Sequence, residues 1–98
     1  MIMLDVYMRF EIKDNVIDLL LANGYDDFFF IEAKKYAAKN MLLSDEEQVS
    51  GRQNYAIIKL YLNDTAAGML ASLIKEEFKD VRVFAVECQP LAFFGMYF

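Results

Sequence analysis

The chain has 98 residues, of which 57% are apolar, and it carries a formal net charge of −5 at pH 7. Its length predicts one domain, and its acidic balance excludes a broad nucleic-acid-binding surface, which requires a basic field. The apolar share exceeds that of an ordinary soluble domain, so we expect the surplus to be buried between identical subunits.

Two features of the sequence bear on the compartment. The single cysteine, Cys88, cannot form a disulfide within one chain, which fits a reducing environment. Asp5 and Arg9 interrupt the first apolar stretch, unlike the apolar core of a secretory signal, and no apolar run reaches the ~20 residues of a membrane span. We expect a cytoplasmic protein.

The first two predicted elements are a strand and a helix. Residues 2–12 alternate between apolar even-numbered and mostly polar odd-numbered positions, which predicts a half-buried strand whose even residues face a core. Asp14 or Asn15 can cap the helix that follows. Its predicted buried face consists of residues at helical spacing, namely Ile17, Leu20, Leu21 and Gly24.

The next predicted strand is apolar on both faces at its start, from Phe28 to Ile31. A central strand that is covered on both sides has this composition. Because the helices are expected to cover only one side, we expect a partner subunit on the other.

A long segment follows, and we expect it to carry the recognition chemistry. Residues 34–52 have the sequence KKYAAKNMLLSDEEQVSGR, with basic ends and an acidic middle. A connection of this length within a small domain is uncommon and is usually functional or disordered. We predict that the acidic middle is a partner-facing or disordered tip.

The second half of the chain repeats the order of the first. A strand is predicted at residues 55–62, a helix from residues 63–65 onward, and a strand at residues 81–88. The buried stripe of this helix is predicted to comprise Met69, Leu70, Leu73, Ile74 and Phe78. The whole order predicts an α+β fold over a single domain, residues 1–98: a ferredoxin-like βαββαβ sandwich with an antiparallel four-stranded sheet and two helices on one face. The apolar tail, residues 91–98, is predicted to reach a neighbouring subunit.

The chain lacks residues that several classes of protein need for their function. The sequence has no histidine, and its four glycines are too scattered for a phosphate-binding loop. The third strand, NYAIIKLYLN, lacks the glycine and paired aromatics of RNA-binding sheets with the same element order. The run Asp45-Glu46-Glu47 is interpreted as a solvated tip rather than a cation site. We therefore predict a non-enzymatic protein with no cofactor, no metal site and no nucleic-acid partner.

Basic side chains flank the long segment on both sides. Lys34, Lys35 and Lys39 precede its acidic middle and Arg52 follows it, and the two ends of a paired hairpin are close in space. We predict a cationic collar there that binds a small anion such as phosphate or carboxylate. Gly51 would let the backbone approach that ligand. The alternatives, a solvated edge that pairs with the segment's own acids and a plain turn at Gly51, stay open.

Three features together resemble a known superfamily. They are the element order, the long connection between the second and third strands, and the motif Glu47-Gln48-Val49 with Gly51-Arg52 and the strand that follows. The chain resembles the nitrogen-regulatory P-II-like superfamily, and more narrowly a branch of small P-II-like proteins often encoded beside bacterial heavy-metal efflux systems.

The resemblance implies a homotrimer of ferredoxin-like subunits whose sheets line the centre. It also implies a mobile effector loop, here about residues 37–52, that contacts a membrane transporter or another regulated protein, and ligand clefts between subunits near the collar. The partner-facing residues would be Ser44, Asp45, Glu46, Glu47 and Gln48. Nucleotide-binding members have a glycine- and lysine-rich loop before the fourth strand, where this chain has only Lys79-Asp80. ATP binding in the usual family mode is therefore not carried over.

Three functions follow from these considerations. The leading one is a non-enzymatic trimeric regulator that binds a small ligand at subunit clefts and reports through the long segment. The second is a small dimeric αβ-barrel enzyme with Tyr7, Tyr55 or Arg9 as polar groups in a pocket under the sheet. The third is a divalent-cation-tolerance protein of related fold.

Overall fold

The computed structural model describes residues 1–89 and 91, except the side chains of Lys39 and Val49. The described residues form four strands, β1 Ile2–Arg9, β2 Phe29–Tyr36, β3 Arg52–Leu62 and β4 Arg82–Glu87. They also form three α-helices, α1 Lys13–Ala22, α2 Asp45–Ser50 and α3 Asp64–Glu77, and two 3-10 helices, Phe10–Ile12 and Lys39–Met41. Most of the tail that is predicted to reach a neighbour, residues 92–98, lies outside the described part of the chain.

The strands form one antiparallel sheet in the order β2-β3-β1-β4. With α1 and α3 packed on one face, this confirms the predicted ferredoxin-like α+β fold. The predicted place of β2 is wrong, because β2 is an edge strand and not a central one. Phe29, Phe30 and Ile31 are 62%, 37% and 39% exposed. The apolar run therefore marks an uncovered edge rather than a strand buried on both sides.

Alternate residues of the two central strands form the core beneath the helices. Leu4, Val6 and Met8 of β1 are fully buried, as their alternation predicts. The register places them opposite apolar residues of β3, namely Leu60, Ile58 and Ala56. The helices and the residue before β4 complete this core with Val16, Leu20, Ala67, Leu70, Ile74 and Val81.

Helix α1 differs from its prediction at its start and in its buried face. A 3-10 helix leads directly into it, and the residue at the N-cap position makes no side-chain cap. Asp14 lies in the first turn instead, so the predicted cap at Asp14 or Asn15 is wrong. Val16 and Leu20, one turn apart, are fully buried, whereas Leu21 is 50% exposed. The predicted face is therefore right at Leu20 and Ile17, which packs against the core, and wrong at Leu21 and Gly24.

Helix α3 begins where the sequence predicts. The side chain of Asn63 accepts a hydrogen bond from the backbone N–H of Ala66 at 2.8 Å, which satisfies a free donor of the first turn. Leu70 and Ile74 are fully buried against the sheet. Met69 is 65% exposed, so its assignment to the buried stripe is wrong.

Neither α1 nor α3 covers the other face of the sheet. Because strand side chains alternate, this face presents odd-numbered residues of β1 and the residues paired with them. We call it the open face, and its members are Met3, Asp5, Tyr7, Arg9, Phe29, Ile31, Ala33, Tyr55, Ile57, Lys59, Tyr61, Arg82, Phe84 and Val86. Phe84 and Val86 are 50% and 44% exposed. Part of the surplus of apolar residues in the composition thus lies here.

A polar pair interrupts the apolar surface of the open face. Both carboxylate oxygens of Asp5 accept hydrogen bonds from the ammonium group of Lys59 at 3.2 Å. Beside this pair, the rings of Tyr7 and Phe84 meet edge to face with their centroids 5.6 Å apart. The open face therefore combines aromatic surface with one fixed pair of opposite charges.

Candidate functional site

The connection between β2 and β3 has defined structure. Within this connecting segment, residues 37–51, a six-residue helix, α2, occupies the acidic middle. The Ser44 hydroxyl accepts a hydrogen bond from the N–H of Glu47 at 3.1 Å and caps the helix start. Gly51 ends the helix in a left-handed conformation with φ of 73°, as glycine commonly does. The acidic middle is therefore a capped helical turn.

Glu47 joins this helix to the rest of the fold. One of its oxygens accepts a hydrogen bond from the backbone N–H of Leu43 at 2.9 Å, and the other accepts one from the guanidinium of Arg9 at 2.5 Å. The residue is only 8% exposed. The assignment of Glu47 to a partner-facing tip is thus contradicted, because this side chain points inward onto Arg9.

The same contacts hold Glu47 in its charged form. The hydrogen bond from the Leu43 N–H lowers the pKa of the Glu47 carboxyl below its usual value, and burial opposes this shift. The hydrogen bond and charge of Arg9 add to the lowering. Glu47 therefore remains an ionised carboxylate at neutral pH.

A second contact fixes the connecting segment at its other side. The side-chain amide of Gln53, in β3, donates a hydrogen bond to the backbone carbonyl of Met41 at 2.5 Å. Gln53 is 2% exposed, and the neighbouring Leu42 is 6% exposed. The segment is therefore packed onto the sheet at two points.

A cleft of about 420 Å³ lies beside α2. It is lined by Arg9, Glu11, Lys34, Leu43, Ser44, Glu46, Glu47, Ser50, Arg52 and Asn54. β1 supplies Arg9, while Lys34 and Arg52 come from the facing ends of β2 and β3. The fold thus brings three cationic side chains to the base of the connecting segment.

The three cations of the cleft differ in their partners. Arg9 is paired with Glu47 and also with Glu11, at 3.2 Å. The ammonium of Lys34 donates a hydrogen bond to the side-chain oxygen of Asn54. The guanidinium of Arg52 lies 5.9 Å from the ring centre of Tyr36. Within the described residues, Lys34 and Arg52 form no ion pair, so their charges remain available to an anion.

A family model matches residues 1–97, almost the whole chain. The chain belongs to the family described as Protein of unknown function (DUF3240). A search of curated proteins found no match. Because the description of the DUF3240 family names no function, a functional argument for this member depends on its site.

The residues of the predicted collar do not all lie at the cleft in this DUF3240 chain. Lys34 and Arg52 line the cleft, but Lys35 lies 5.1 Å from the ring centre of Tyr55, which is on the open face. Gly51 does not line the cleft and serves to end α2, which agrees with the plain-turn alternative. The backbone of Lys39 lies in the 3-10 helix, and its side chain lies outside the description.

The sequence did not single out Arg9 for this cleft. Its partner Glu47 is 38 positions away, and no local pattern links the two. One signal for α2 itself was present, since Ser44 and Glu47 have the S-x-x-E spacing of a capping box. The helix could have been found in the sequence, but not its ion pair with β1.

Two further features of the fold bear on function. A shallow groove of about 350 Å³ on the open face is lined by Tyr7, Ala33, Lys34, Lys35, Tyr55, Ile57, Arg82 and Phe84. Among residues 1–89 and 91, no group of three or more histidine, cysteine, aspartate or glutamate side chains could hold a metal ion. Over the same residues, no helix is long and apolar enough to cross a membrane.

Proposed function

We propose that this DUF3240 protein is a non-enzymatic regulator of the P-II-like type. It forms a homotrimer, binds a small anion in the clefts at the base of the connecting segment, and reports to a partner protein through that segment. The partner is a membrane transporter or another regulated protein of the same cell.

The observation that carries the proposal is the cleft beside α2. Lys34 and Arg52 line it from neighbouring strand ends, and neither forms an ion pair within the described residues. Phosphate and carboxylate groups form strong charge-assisted hydrogen bonds with such side chains. The cleft therefore suits a small anion, and its contact with α2 gives a bound ligand a direct route to the connecting segment.

Assembly is supported by the open face. Exposed apolar patches of this kind commonly mark protein–protein contacts. Phe29, Phe84 and Val86 are each more than two-fifths exposed in the single subunit. Packing the open faces of several subunits together would remove this surface from water.

The surface that meets the partner is the outer side of α2. Ser44, Asp45, Glu46 and Gln48 are exposed there, so the helix presents its carboxylates outward. Such a surface fits a basic patch on the partner protein. Glu47 is excluded from this surface, since its carboxylate is bound to Arg9.

Native mass spectrometry of gently purified protein, followed by calorimetry with inorganic phosphate, tests the proposal. We expect three subunits and a retained anion, and we expect Lys34→Ala and Arg52→Ala each to weaken phosphate binding about tenfold, since a charged hydrogen bond contributes ~1.5–3 kcal/mol. Lys79→Ala removes an exposed lysine outside the cleft and serves as the matched control. A stable monomer in light scattering, or unchanged affinity in both cleft variants, would contradict the proposal.

One observation favours a second candidate, the small αβ-barrel enzyme. Tyr7 and Tyr55 line the same groove on the open face, next to the apolar side chains of Ile57 and Phe84. Two subunits packed face to face would enclose this groove as a reaction chamber. A dimer that retains an apolar small molecule in native mass spectrometry would favour this enzyme over the regulator.

A further inference from the structure

The cleft already contains a carboxylate bound to one of its cations. Arg9 donates a hydrogen bond to Glu47 at 2.5 Å, and both residues line the cleft together with Lys34 and Arg52. The side chains of Arg9 and Glu47 are 21% and 11% exposed, so the pair is largely shielded from water. Arg9 is therefore one of the three cations of the cleft, and two of the five N–H donors of its guanidinium are held by Glu47 and Glu11.

An anionic ligand and Glu47 offer the same chemistry to Arg9. A guanidinium binds a carboxylate or a phosphate through the same N–H donors. Glu47 holds the donor Nη2 of Arg9, and Glu11 holds Nε. A ligand that takes the same N–H of Nη2 must therefore replace the carboxylate of Glu47.

We propose that Arg9 is a ligand-binding residue of the cleft and that Glu47 is a built-in competitor of the small oxyanion that binds there. The inference rests on the proposed function, because it assumes that the cleft takes an anion. The oxyanion binds Arg9 together with Lys34 and Arg52 and displaces the carboxylate of Glu47.

Displacement of Glu47 frees the connecting segment. Glu47 is the residue through which α2 is tied both to β1, by Arg9, and to its own N-terminal side, by the N–H of Leu43. Once its carboxylate leaves Arg9, α2 loses its ion pair with β1, so the backbone hydrogen bonds of this short helix open more often. The hydrogen bond from Gln53 to the backbone carbonyl of Met41 remains, so this part of the segment stays attached to β3.

Thermodynamic reciprocity makes this coupling measurable from either direction. If the oxyanion weakens the contact between Arg9 and Glu47, then weakening that contact must tighten the binding of the oxyanion by the same factor. Glu47→Gln removes the competing charge and keeps an amide oxygen that can accept from Leu43, so the fold is preserved. Glu46→Gln removes an equal charge from the same cleft but from a side chain that does not contact Arg9.

Calorimetry with inorganic phosphate on the 98-residue chain gives the first test. We expect Glu47→Gln to bind phosphate about tenfold more tightly than the natural chain, which corresponds to ~1.4 kcal/mol. Glu46→Gln is expected to gain threefold at most, from the weaker field of a more distant carboxylate. Arg9→Gln is expected to lose affinity about tenfold. Equal gains in Glu47→Gln and Glu46→Gln would overturn the competition.

The same titrations separate this inference from the proposed function. If Lys34→Ala and Arg52→Ala weaken binding while Glu47→Gln and Glu46→Gln behave alike, the anion cleft stands and the competition fails. If Lys34→Ala and Arg52→Ala bind like the natural chain, the proposed cleft itself fails. Phosphate binding by none of the proteins would overturn both.

Hydrogen exchange gives the second test. In the natural chain, phosphate is expected to speed amide exchange across residues 43–51, where Gln48 and Gly51 donate to Ser44 and Glu47. In Glu47→Gln these amides are expected to exchange faster without phosphate and to change little when it is added. Slower exchange of this segment on phosphate binding would overturn the release of α2.

Discussion

The two faces of the sheet are built from the same alternating strands, yet among residues 1–89 and 91 the helices cover only one of them. Beneath α1 and α3, Leu4, Ile58 and Leu60 are between 0% and 1% exposed. On the open face, Phe29 and Phe84 are 62% and 50% exposed. The difference shows that apolar alternation alone does not reveal whether a face is buried within its own chain or left exposed.

We expect substitutions on the two faces to affect different properties, folding on one face and association on the other. Substitutions under the helices should act on folding of the subunit, because they remove contacts that the single chain makes. Substitutions of the exposed apolar residues of the open face should act mainly on association, because much of their side-chain surface is uncovered in the single chain. Measurements on diluted subunits and on the assembled protein can therefore be compared for each face.

The largest effect is expected for Leu60→Ala, under the helices. This change should lower the free energy of unfolding by about 2–5 kcal/mol, because it leaves a cavity in a closely packed core. Chemical denaturation measures the loss. Ile57→Ala, three residues away but on the half-buried opposite face, is the matched control and should cost less. Equal losses would mean that the open face is as tightly packed within the subunit as the core.

The next effect concerns the polar pair of the open face. Lys59→Met should lower the free energy of unfolding by about 1–3 kcal/mol, because the poorly exposed carboxylate of Asp5 loses its partner. The double variant Asp5→Leu/Lys59→Met should recover much of this loss, since no unpaired charge remains. Thermal unfolding of both variants provides the measurement. If the double variant is as unstable as the single one, the loss comes from changed packing and not from the unpaired charge of Asp5.

Gly68→Ala tests whether the outer side of α3, rather than the open face, takes part in association. A β-carbon at Gly68 would have no neighbour within 4 Å, so the change should raise the free energy of unfolding by about 1 kcal/mol through helix propensity. The number of subunits should stay the same. Gly51→Ala is the opposite case, because its φ of 73° is left-handed, and it should be destabilising by about 1–2 kcal/mol. A change in the number of subunits in Gly68→Ala would indicate that association involves the outer side of α3 and not the open face.

The smallest effect on the subunit itself is expected for Phe29→Ser on the open face. Its unfolding free energy, measured in diluted monomers, should change by less than about 0.5 kcal/mol, as for most exposed positions. Sedimentation at higher concentration should nevertheless show weaker association. Met69→Ser, an equally exposed apolar position on α3, should leave association unchanged. If both variants assemble alike, the open face is not the association surface.

Acidification should destabilise the connecting segment before it destabilises the sheet. The pKa of Glu47 is lowered in the folded chain, so its contribution to stability is full above its usual value of 4.5 and is lost as the pH falls through the lower folded value. We therefore expect residues 43–51 to lose exchange protection in acid before the core of the sheet does. Glu47→Gln should remove this early step. Simultaneous loss throughout the natural chain would refute the local role of the carboxylate.

The fold was largely predictable because its strands have clear period-two patterns. The even residues of β1 face the core as predicted, and Asn63 caps α3 where its position indicated. The errors have physical causes. An apolar strand start does not reveal whether it lies at the centre or the edge of a sheet. Several apolar residues follow one another in α1, so spacing alone does not tell that Val16, and not Leu21, faces the sheet.

The candidate site was only half predictable. Lys34 and Arg52 meet because strand pairing brings the ends of β2 and β3 together, which the hairpin pattern implies. The role of Arg9 depends on how the connecting segment folds back onto β1. That contact joins residues distant in the sequence, so no local periodicity could indicate it.

The position of β2 at the edge of the sheet has a consequence for the newly made subunit. An edge strand offers backbone donors and acceptors to any other chain, and lysines on such an edge discourage the addition of a strand. β2 carries Lys34 and Lys35 at one end, but its other end begins with Phe29 and Phe30. Lysines thus guard only one half of this edge against the addition of a strand, and Phe29 and Phe30 mark the half where another chain could pair.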